Sequence, residues 1–391
     1  MKFFQNIISA VFRARPNRFI VECTTRGRPV RAYLPNPGKL QELLLPGKKI
    51  YLVKQPLLSQ RRIEYMVVAV ERYGCPILLH THMNNAVARY LIEHNRIPGL
   101  DGAVIVKAEH KMGNSRFDFL LLKGGRDMVL EVKSCTLFGR RIAMFPDAIT
   151  DRGKKHLIEL ASLSRRGMDA GVLFLVHAPF PDHFMPDYHT DLEFARTLMS
   201  VRDDISVRAV SVVWKKDLLL GSRVRELTIP WKLIEREARD SGSYIIIMRL
   251  MRDRKLKIGG LGAVRFEKGF YLYAGSAKKN LTQRIARHRR RRKKLFWHID
   301  YLREYADFCA ALPVRTSASL ECDLAFALEG ISHWTIPGFG SSDCSCDSHL
   351  FGMVDDPLHS PRFIEMLQYF RIDRLEKELF NGRNGVLAAS G

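Results

Sequence analysis

Apolar and polar positions over the first 79 residues alternate in short bursts. Apolar-rich segments at 18–24, 30–34, 49–54, 65–72 and 75–79 are separated by the turn signals Arg26-Gly27, Pro35-Asn36-Pro37-Gly38 and Pro46-Gly47. Five short strands at that spacing predict a small barrel. The rhythm then changes. Val87, Tyr90 and Leu91 stand at helical spacing within 84–94, and 103–108 reads as a strand. Residues 116–133, RFDFLLLKGGRDMVLEVK, hold two apolar runs around Lys123-Gly124-Gly125-Arg126-Asp127. Short apolar runs bounded by glycine and charge predict a β-hairpin. A helix is predicted over 147–165, with Ile149, Leu157, Leu160, Ala161 and Ser164 on one face. The continuous apolar run 170–177 suits a central strand, 194–203 a helix, and 207–214 a further strand. This alternation makes residues 80–228 an α/β domain.

Residues 229–241, IPWKLIEREARDS, read as a charged connector, and the pattern then restarts. Strands are predicted at 244–250 and 269–274. A helix follows, on which Arg284, Arg287, His288 and Arg291 fall at i, i+3, i+4 and i+7 and share one face. Segments 363–370 and 375–379 read as helical, and the final NGRNGVLAASG as a disordered terminus.

Charge narrows the partner. Lys and Arg outnumber Asp and Glu by 63 to 41, a net charge of +22, which points to a polyanion and most simply to nucleic acid. Seven cysteines without framework spacing argue against a disulfide scaffold. No apolar run reaches the roughly 18 residues that span a bilayer, and residues 1–12 lack a signal-peptide core. The expectation is a cytoplasmic protein with no membrane partner; its oligomeric state is not legible.

The hairpin carries the candidate chemistry. Asp118 interrupts its first run; Glu131 and Lys133 interrupt the second. Strand side chains alternate with period two, so Glu131 and Lys133 point to one face, and pairing brings Asp118 toward it. Charges are rarely buried unless paired or metal-bound. Two readings follow: a salt bridge between Lys133 and a carboxylate, or a divalent-metal site. In the second, Asp118 and Glu131 supply hard oxygen ligands suited to Mg²⁺ or Mn²⁺. Lys133 then orients water or offsets developing charge, and Glu109 stands ready as a further ligand. Arg152, Lys154, Lys155 and His156 cluster at the start of the 147–165 helix, as a solvated face or as phosphate contacts.

The D-x12-E-x-K pattern resembles that of PD-(D/E)xK nucleases. The longer strings AEHKMGNSRFDFLL and LEVKSCTLFGRRIAMFPDAITDRGKKHLIEL resemble the sugar fermentation stimulation protein (SfsA) family over about residues 13–228. That resemblance implies an OB-fold module at 1–80, often a single-strand binder, and a restriction-endonuclease-like core at 81–228. It places Asp118, Glu131 and Lys133 on the family's nuclease-like positions and Glu109 on its upstream acid. Asn85 matches a family asparagine.

Beyond the connector, Gly242-x-Tyr244, Tyr273-Ala274-Gly275 and Arg284 resemble the GIY-YIG nuclease pattern, although neither tripeptide is intact. GFYLYAGSA, FWHIDYL, ECDLA and PGFGSSDCSCDSHLFG resemble an uncharacterised GIY-YIG-like family over 242–354, leaving 355–391 as a tail. The resemblance implies a catalytic role for Tyr273 (or Tyr244) and Arg284, with Glu321 as metal ligand and Glu329 as its substitute. Arg287, Arg289, Arg290, Arg291, Arg292, Lys293 and Lys294 form a dense run expected to face phosphate. Cys344-x-Cys346-x2-His349 lacks the paired CxxC of strong zinc sites. Cys322, His298 or His333 would have to complete it, and a reduced thiol cluster is the reading taken. The expected function is a metal-dependent nuclease on DNA, with RNA as the second substrate. The alternative is a non-catalytic DNA-binding regulator that keeps nuclease folds.

Overall fold

The computed structural model describes residues 1–55 and 63–379. Two compact units emerge. One comprises Met1–Asp187, Glu193–Trp231 and the segment from Leu375; the other comprises Tyr188–Leu192 and Lys232–Arg374.

The first unit begins with β1 (Ile8–Asn17), β2 (Ile20–Thr25), β3 (Arg28–Tyr33), β4 (Lys49–Lys54), β5 (Tyr65–Arg72) and β6 (Cys75–Leu78). Their order is β3-β2-β1-β4-β5-β6, and a parallel β3–β5 pairing closes the first five into an OB-type barrel. In β2 the burial alternates strictly, sending Val21 and Cys23 inward. β1 lies at the middle of the barrel but was not predicted. Only Ala10 and Phe12 of ISAVFRARPN are buried, too sparse an alternation to read. The predicted fifth strand, β6, hangs on β5 outside the ring.

The core follows as α1 (Asn84–Glu93), β7 (Val104–Met112), β8 (Ser115–Lys123), β9 (Arg126–Cys135), β10 (Leu137–Phe138), β11 (Ile142–Phe145), α2 (Asp151–Ser164), β12 (Asp169–Val176), β13 (His183–Pro186), α3 (Leu192–Val201), β14 (Ser206–Trp214) and β15 (Leu220–Glu226). A six-stranded sheet runs β15-β14-β12-β9-β8-β7, with β12 parallel to both β9 and β14. Val87 and Leu91 of α1 share a core with Phe119 and Leu130 on one face. Leu157, Leu160 and Ala161 of α2 share another with Phe117, Val129 and Phe174. The predicted 147–165 helix starts late. Thr150 caps α2 by accepting from Gly153 N at 3.0 Å, which leaves Asp147 outside it and Ile149 71% exposed.

The second unit holds α4 (Trp231–Glu237), β16 (Gly242–Leu250), β17 (Arg254–Ile258), β18 (Gly262–Phe266), β19 (Gly269–Ala277), α5 (Leu281–Arg289), α6 (His298–Arg303), β20 (Asp307–Arg315), α7 (Glu321–Glu329), β21 (Trp334–Thr335), β22 (Leu350–Met353) and α8 (Pro361–Arg371). Its sheet runs β20-β16-β19-β22-β21, and β17–β18 form a separate hairpin. Much of the charged connector is helix. Buried Glu237 accepts from Thr316 Oγ1 and Ser317 Oγ, both at 2.7 Å. α5 stops at Arg289, so Arg291 is not on its face as the spacing predicted. The predicted 363–370 helix is α8; residues 373–375 make a 3₁₀ turn, and the predicted 375–379 segment is helical from 376 to 379. The terminus 381–391 lies outside the described residues. Among the described residues no helix is long and apolar enough to cross a membrane.

Candidate functional site

The β8–β9 ladder pairs Phe119 with Leu130. Continued by one residue, that register sets Asp118 opposite Glu131. There the carboxylate of Asp118 replaces the ladder: its Oδ2 accepts from Val132 N at 2.7 Å, and its Oδ1 from Asn85 Nδ2 of α1 at 2.7 Å. Glu131 is 4% exposed. Its Oε1 accepts from Lys133 Nζ at 2.5 Å and lies 2.6 Å from His156 Nδ1 of α2. A carboxylate only accepts, so the imidazole N–H points at it. The salt bridge expected of Lys133 therefore forms, but it uses one oxygen. Glu131 Oε2 is buried with no hydrogen-bond partner.

Electrostatics separate the two acids. Burial, then the neighbouring Glu131, push the Asp118 carboxyl above its ordinary range. Burial also acts to raise Glu131, but the hydrogen bond from His156 and the charge of Lys133 outweigh it and hold Glu131 low. The arrangement offers hard oxygens, one of them an orphaned buried atom, beside a carboxyl destabilised by a like charge. Such a donor set fits Mg²⁺ or Mn²⁺.

These groups line a cleft of about 770 Å³ with Asn36, Gly38, Thr136, Asp147 and Arg152. Asn36 folds the Pro35–Gly38 turn by accepting from Gly38 N at 2.9 Å and donating to Leu79 O at 3.0 Å. That turn brings Gly38 against Asp147, where an added Cβ would sit 2.3 Å from Oδ2. Burial, the largest influence, raises the Asp147 carboxyl. Glu109 also lines the cleft. The ladder steps from Ala108↔Phe119 to His110↔Phe117, which puts Glu109 across from Asp118. Its exposed side chain pairs with Arg116 at 3.1 Å. Of the basic cluster on α2, Arg152 reaches the cleft. Lys154 pairs with Asp151 at 2.9 Å, and Lys155 lies 3.8 Å from Glu159. Asn85 and Asp147 belong to the site but were not given roles from sequence; His156, read with the basic cluster as a solvated face or a phosphate contact, is instead buried against Glu131. For His156 the signal was present in its place four residues after Arg152, on the helix that covers the hairpin.

In the second unit β16 and β19 are neighbours with Tyr244 opposite Gly275. Gly275 is dictated by packing, since a Cβ there would meet the Tyr244 ring at 2.5 Å. Tyr244 Oη lies 2.9 Å from His288 Nε2. Arg284 donates to Ser276 O at 3.2 Å, and Ser276 Oγ donates to Glu321 Oε2, so Arg284 and Glu321 converge on Ser276. Tyr273 is buried, and burial drives its hydroxyl far above the ordinary range, which makes it a hydrogen-bond donor rather than a base near neutral pH. Glu329 closes the far end of α7 from Glu321. The basic run does not face solvent as one block. Arg287 and Lys293 pair with fully buried Asp300 at 3.0 and 2.7 Å. Arg291 donates to Glu304 O at 2.9 Å. Arg289, Arg290, Arg291, Arg292 and Lys294 are exposed.

Residues 14–79 match the SfsA N-terminal OB domain, 82–217 the sugar fermentation stimulation protein RE domain, and 243–371 a domain of unknown function, DUF123. This last match runs through α8, beyond the 354 at which the resemblance was read. A sugar fermentation stimulation protein homolog of Methanosphaera stadtmanae is 34% identical over 56% of this chain and 97% of its own length. One from Methanothermobacter thermautotrophicus is 36% identical over 58% and 95%. The solved structure of Pyrococcus furiosus SfsA in complex with Ca²⁺ superposes with a TM-score of 0.54 at 27% identity, covering 59% of this chain and 99% of that one. On these matches, over the barrel and the core that holds Asp118, Glu131 and Lys133, the chain belongs to the sugar fermentation stimulation protein family.

Proposed function

We propose that this chain hydrolyses phosphodiester bonds of nucleic acid, DNA before RNA, in the cleft around Asp118, Glu131 and Lys133. The observation that carries the proposal is Glu131, a buried carboxylate held ionised by His156 and Lys133, whose Oε2 has no partner. A divalent cation, Mg²⁺ or Mn²⁺, would be held by Asp118 and Glu131 with Glu109 in reach, and would polarise the scissile phosphate and acidify a water. The Ca²⁺ complex of the Pyrococcus furiosus relative supports a hard-cation site of this kind. Asn85 and Val132 N fix the Asp118 carboxylate, and His156 fixes that of Glu131. Lys133 places its ammonium where charge develops on the attacked phosphate. Arg152, Lys154 and Lys155 on α2 and the exposed arginines after α5 supply phosphate contacts. Tyr273 and Arg284 are assigned to a second phosphate-handling surface. The domain boundaries we adopt are a barrel at 1–80, the core at 81–228, a connector at 229–241 and a C-terminal domain from 242.

The test is incubation of the purified chain with end-labelled single- and double-stranded DNA and RNA, in Mg²⁺, Mn²⁺ or EDTA. Cleavage should need the cation and nearly stop in Glu131→Gln. Lys133→Ala should slow it by roughly a hundred- to a thousandfold, the cost of one preorganised charge-stabilising group. Binding should survive both changes. A stably folded Lys133→Ala protein that cuts at the wild-type rate sinks the assignment. Binding without cation-dependent cleavage would favour the regulatory alternative.

A further inference from the structure

Four soft-metal donors from two distant stretches of sequence meet in the second unit. Cys322 lies in the first turn of α7; Cys344, Cys346 and His349 lie in the loop before β22. One ligand atom from each lies within 4.8 Å of every other. Around a tetrahedral zinc ion, bonds of about 2.3 Å to sulfur and 2.0 Å to nitrogen put donor atoms roughly 3.5–4 Å apart. Cys344 Sγ and His349 Nε2 are 3.4 Å apart, close to that spacing.

The surroundings hold these donors in place. His349 is 2% exposed, and its main chain is part of the sheet edge: its N donates to Phe339 O at 2.8 Å and its O accepts from Ala274 N at 2.9 Å. The loop carrying both cysteines is pinned by Ser348 Oγ donating to Ile336 O at 2.6 Å and Gly338 N donating to Asp347 O at 2.8 Å. On the far side of the ring, His349 Nδ1 lies 3.5 Å from Glu321 Oε1. A metal-bound histidine usually presents its other ring N–H to a carboxylate, which sets the tautomer and aims the ligand nitrogen. Glu321 supplies that carboxylate and is itself fixed by Ser276 Oγ on its other oxygen. His298 and His333, the other residues able to complete the set, are engaged elsewhere. His298 Nδ1 accepts from Gly340 N at 3.2 Å, and His333 Nδ1 from Val354 N at 3.1 Å.

We propose that Cys322, Cys344, Cys346 and His349 bind one zinc ion, with Glu321 as the positioning carboxylate behind His349. Three thiolates and an imidazole select a soft or borderline cation and disfavour Mg²⁺. The donor set is closed, with no position left for water, so the centre is structural: it ties the start of α7 to the loop that leads into β22. In this arrangement Glu321 is turned toward His349 and Ser276, and is not a ligand of a catalytic cation. Binding converts the three thiols to thiolates and releases their protons to solvent, with no change of oxidation state.

The experiment uses the full chain, purified under reducing conditions and dialysed against metal-free buffer. Elemental analysis should find one zinc per chain. Exchange with Co²⁺ alone should produce thiolate-to-cobalt charge-transfer absorption together with the visible bands of a tetrahedral ion. Cys346→Ser should abolish stoichiometric binding. Cys322→Ser, at an exposed helix position that threatens folding least, should weaken the charge-transfer absorption. Glu321→Gln should keep the cobalt spectrum but lower zinc affinity by about 10–100-fold, measured by competition with a chromophoric chelator. Absence of zinc from folded wild-type protein overturns the proposal, as does zinc retained unchanged in Cys346→Ser. Thiol titration and intact mass revealing a disulfide among these cysteines, with no metal, overturns it as well.

Discussion

At the scale of single residues, the charged trio on the hairpin was legible because charge inside an apolar run is costly unless something meets it. What meets it was not legible. Asn85 lies 33 residues before its partner Asp118, and His156 lies 25 after Glu131, so only the fold brings each to its carboxylate. His156 yields a prediction. It is 3% exposed and donates the hydrogen bond that does most to keep Glu131 ionised. His156→Ala should lower Mn²⁺ affinity by about 10–100-fold, the usual effect of removing a group that orients a metal ligand. His156→Gln, which keeps a donor, should recover part of it. Titration calorimetry with Mn²⁺ reads both, with the thermal melt alongside. A histidine that only fills space would lower the melting temperature and leave Mn²⁺ affinity unchanged.

At the scale of elements, the hairpin was read correctly because two signals agreed: paired apolar runs, and Gly124-Gly125, both at positive φ (55° and 77°), at the turn. Where the signals conflict, the reading failed. β17 and β18 are missing from the predicted strands because RKLKI and GAVRF bury little, and β1 for the same reason. The Pro35–Gly38 turn read as ordinary turn chemistry, and its contact with Asp147 needs the folded chain. Gly38→Ala would drive a Cβ to 2.3 Å from Asp147 Oδ2 and 2.9 Å from Asn36 Oδ1. Overpacking of this kind costs about 1–3 kcal/mol. Asp147→Ala removes the carboxylate and reopens the space, so the double variant should lose less than the two single losses added. Chemical denaturation of the four proteins gives the coupling. Strict additivity would mean that the turn is not held against Asp147.

At the scale of the whole molecule, a net charge of +22 announced a polyanion, but charge counted along a sequence does not say which cations remain available. The basic run from Arg287 to Lys294 divides into two populations. Arg287 and Lys293 are committed to Asp300, which is fully buried and whose carboxyl is held far below its ordinary range; burial opposes ionisation, and the nearby His288 ring, 3.8 Å away, together with the hydrogen-bonded Lys293 ammonium overcomes it. Arg289, Arg290, Arg292 and Lys294 stay exposed. The two groups should therefore answer different experiments. Replacing the exposed four by Gln should weaken DNA binding across sequences, because phosphate contacts carry no base information. It should also flatten the plot of log affinity against log salt. Each lost phosphate contact on duplex DNA removes about 0.9 from the slope, so the change reaches about 3 to 4 if all four touch phosphate. Lys293→Ala should leave that slope near the wild-type value but destabilise the fold by about 1.5–3 kcal/mol, the range for a lost hydrogen bond to a charged group. Affinity measured over a salt series and thermal melts on the same preparations separate the two. If the exposed four change nothing in the slope, the interface lies elsewhere on the protein. If Lys293→Ala flattens the slope without lowering the melt, the lysine serves phosphate rather than Asp300.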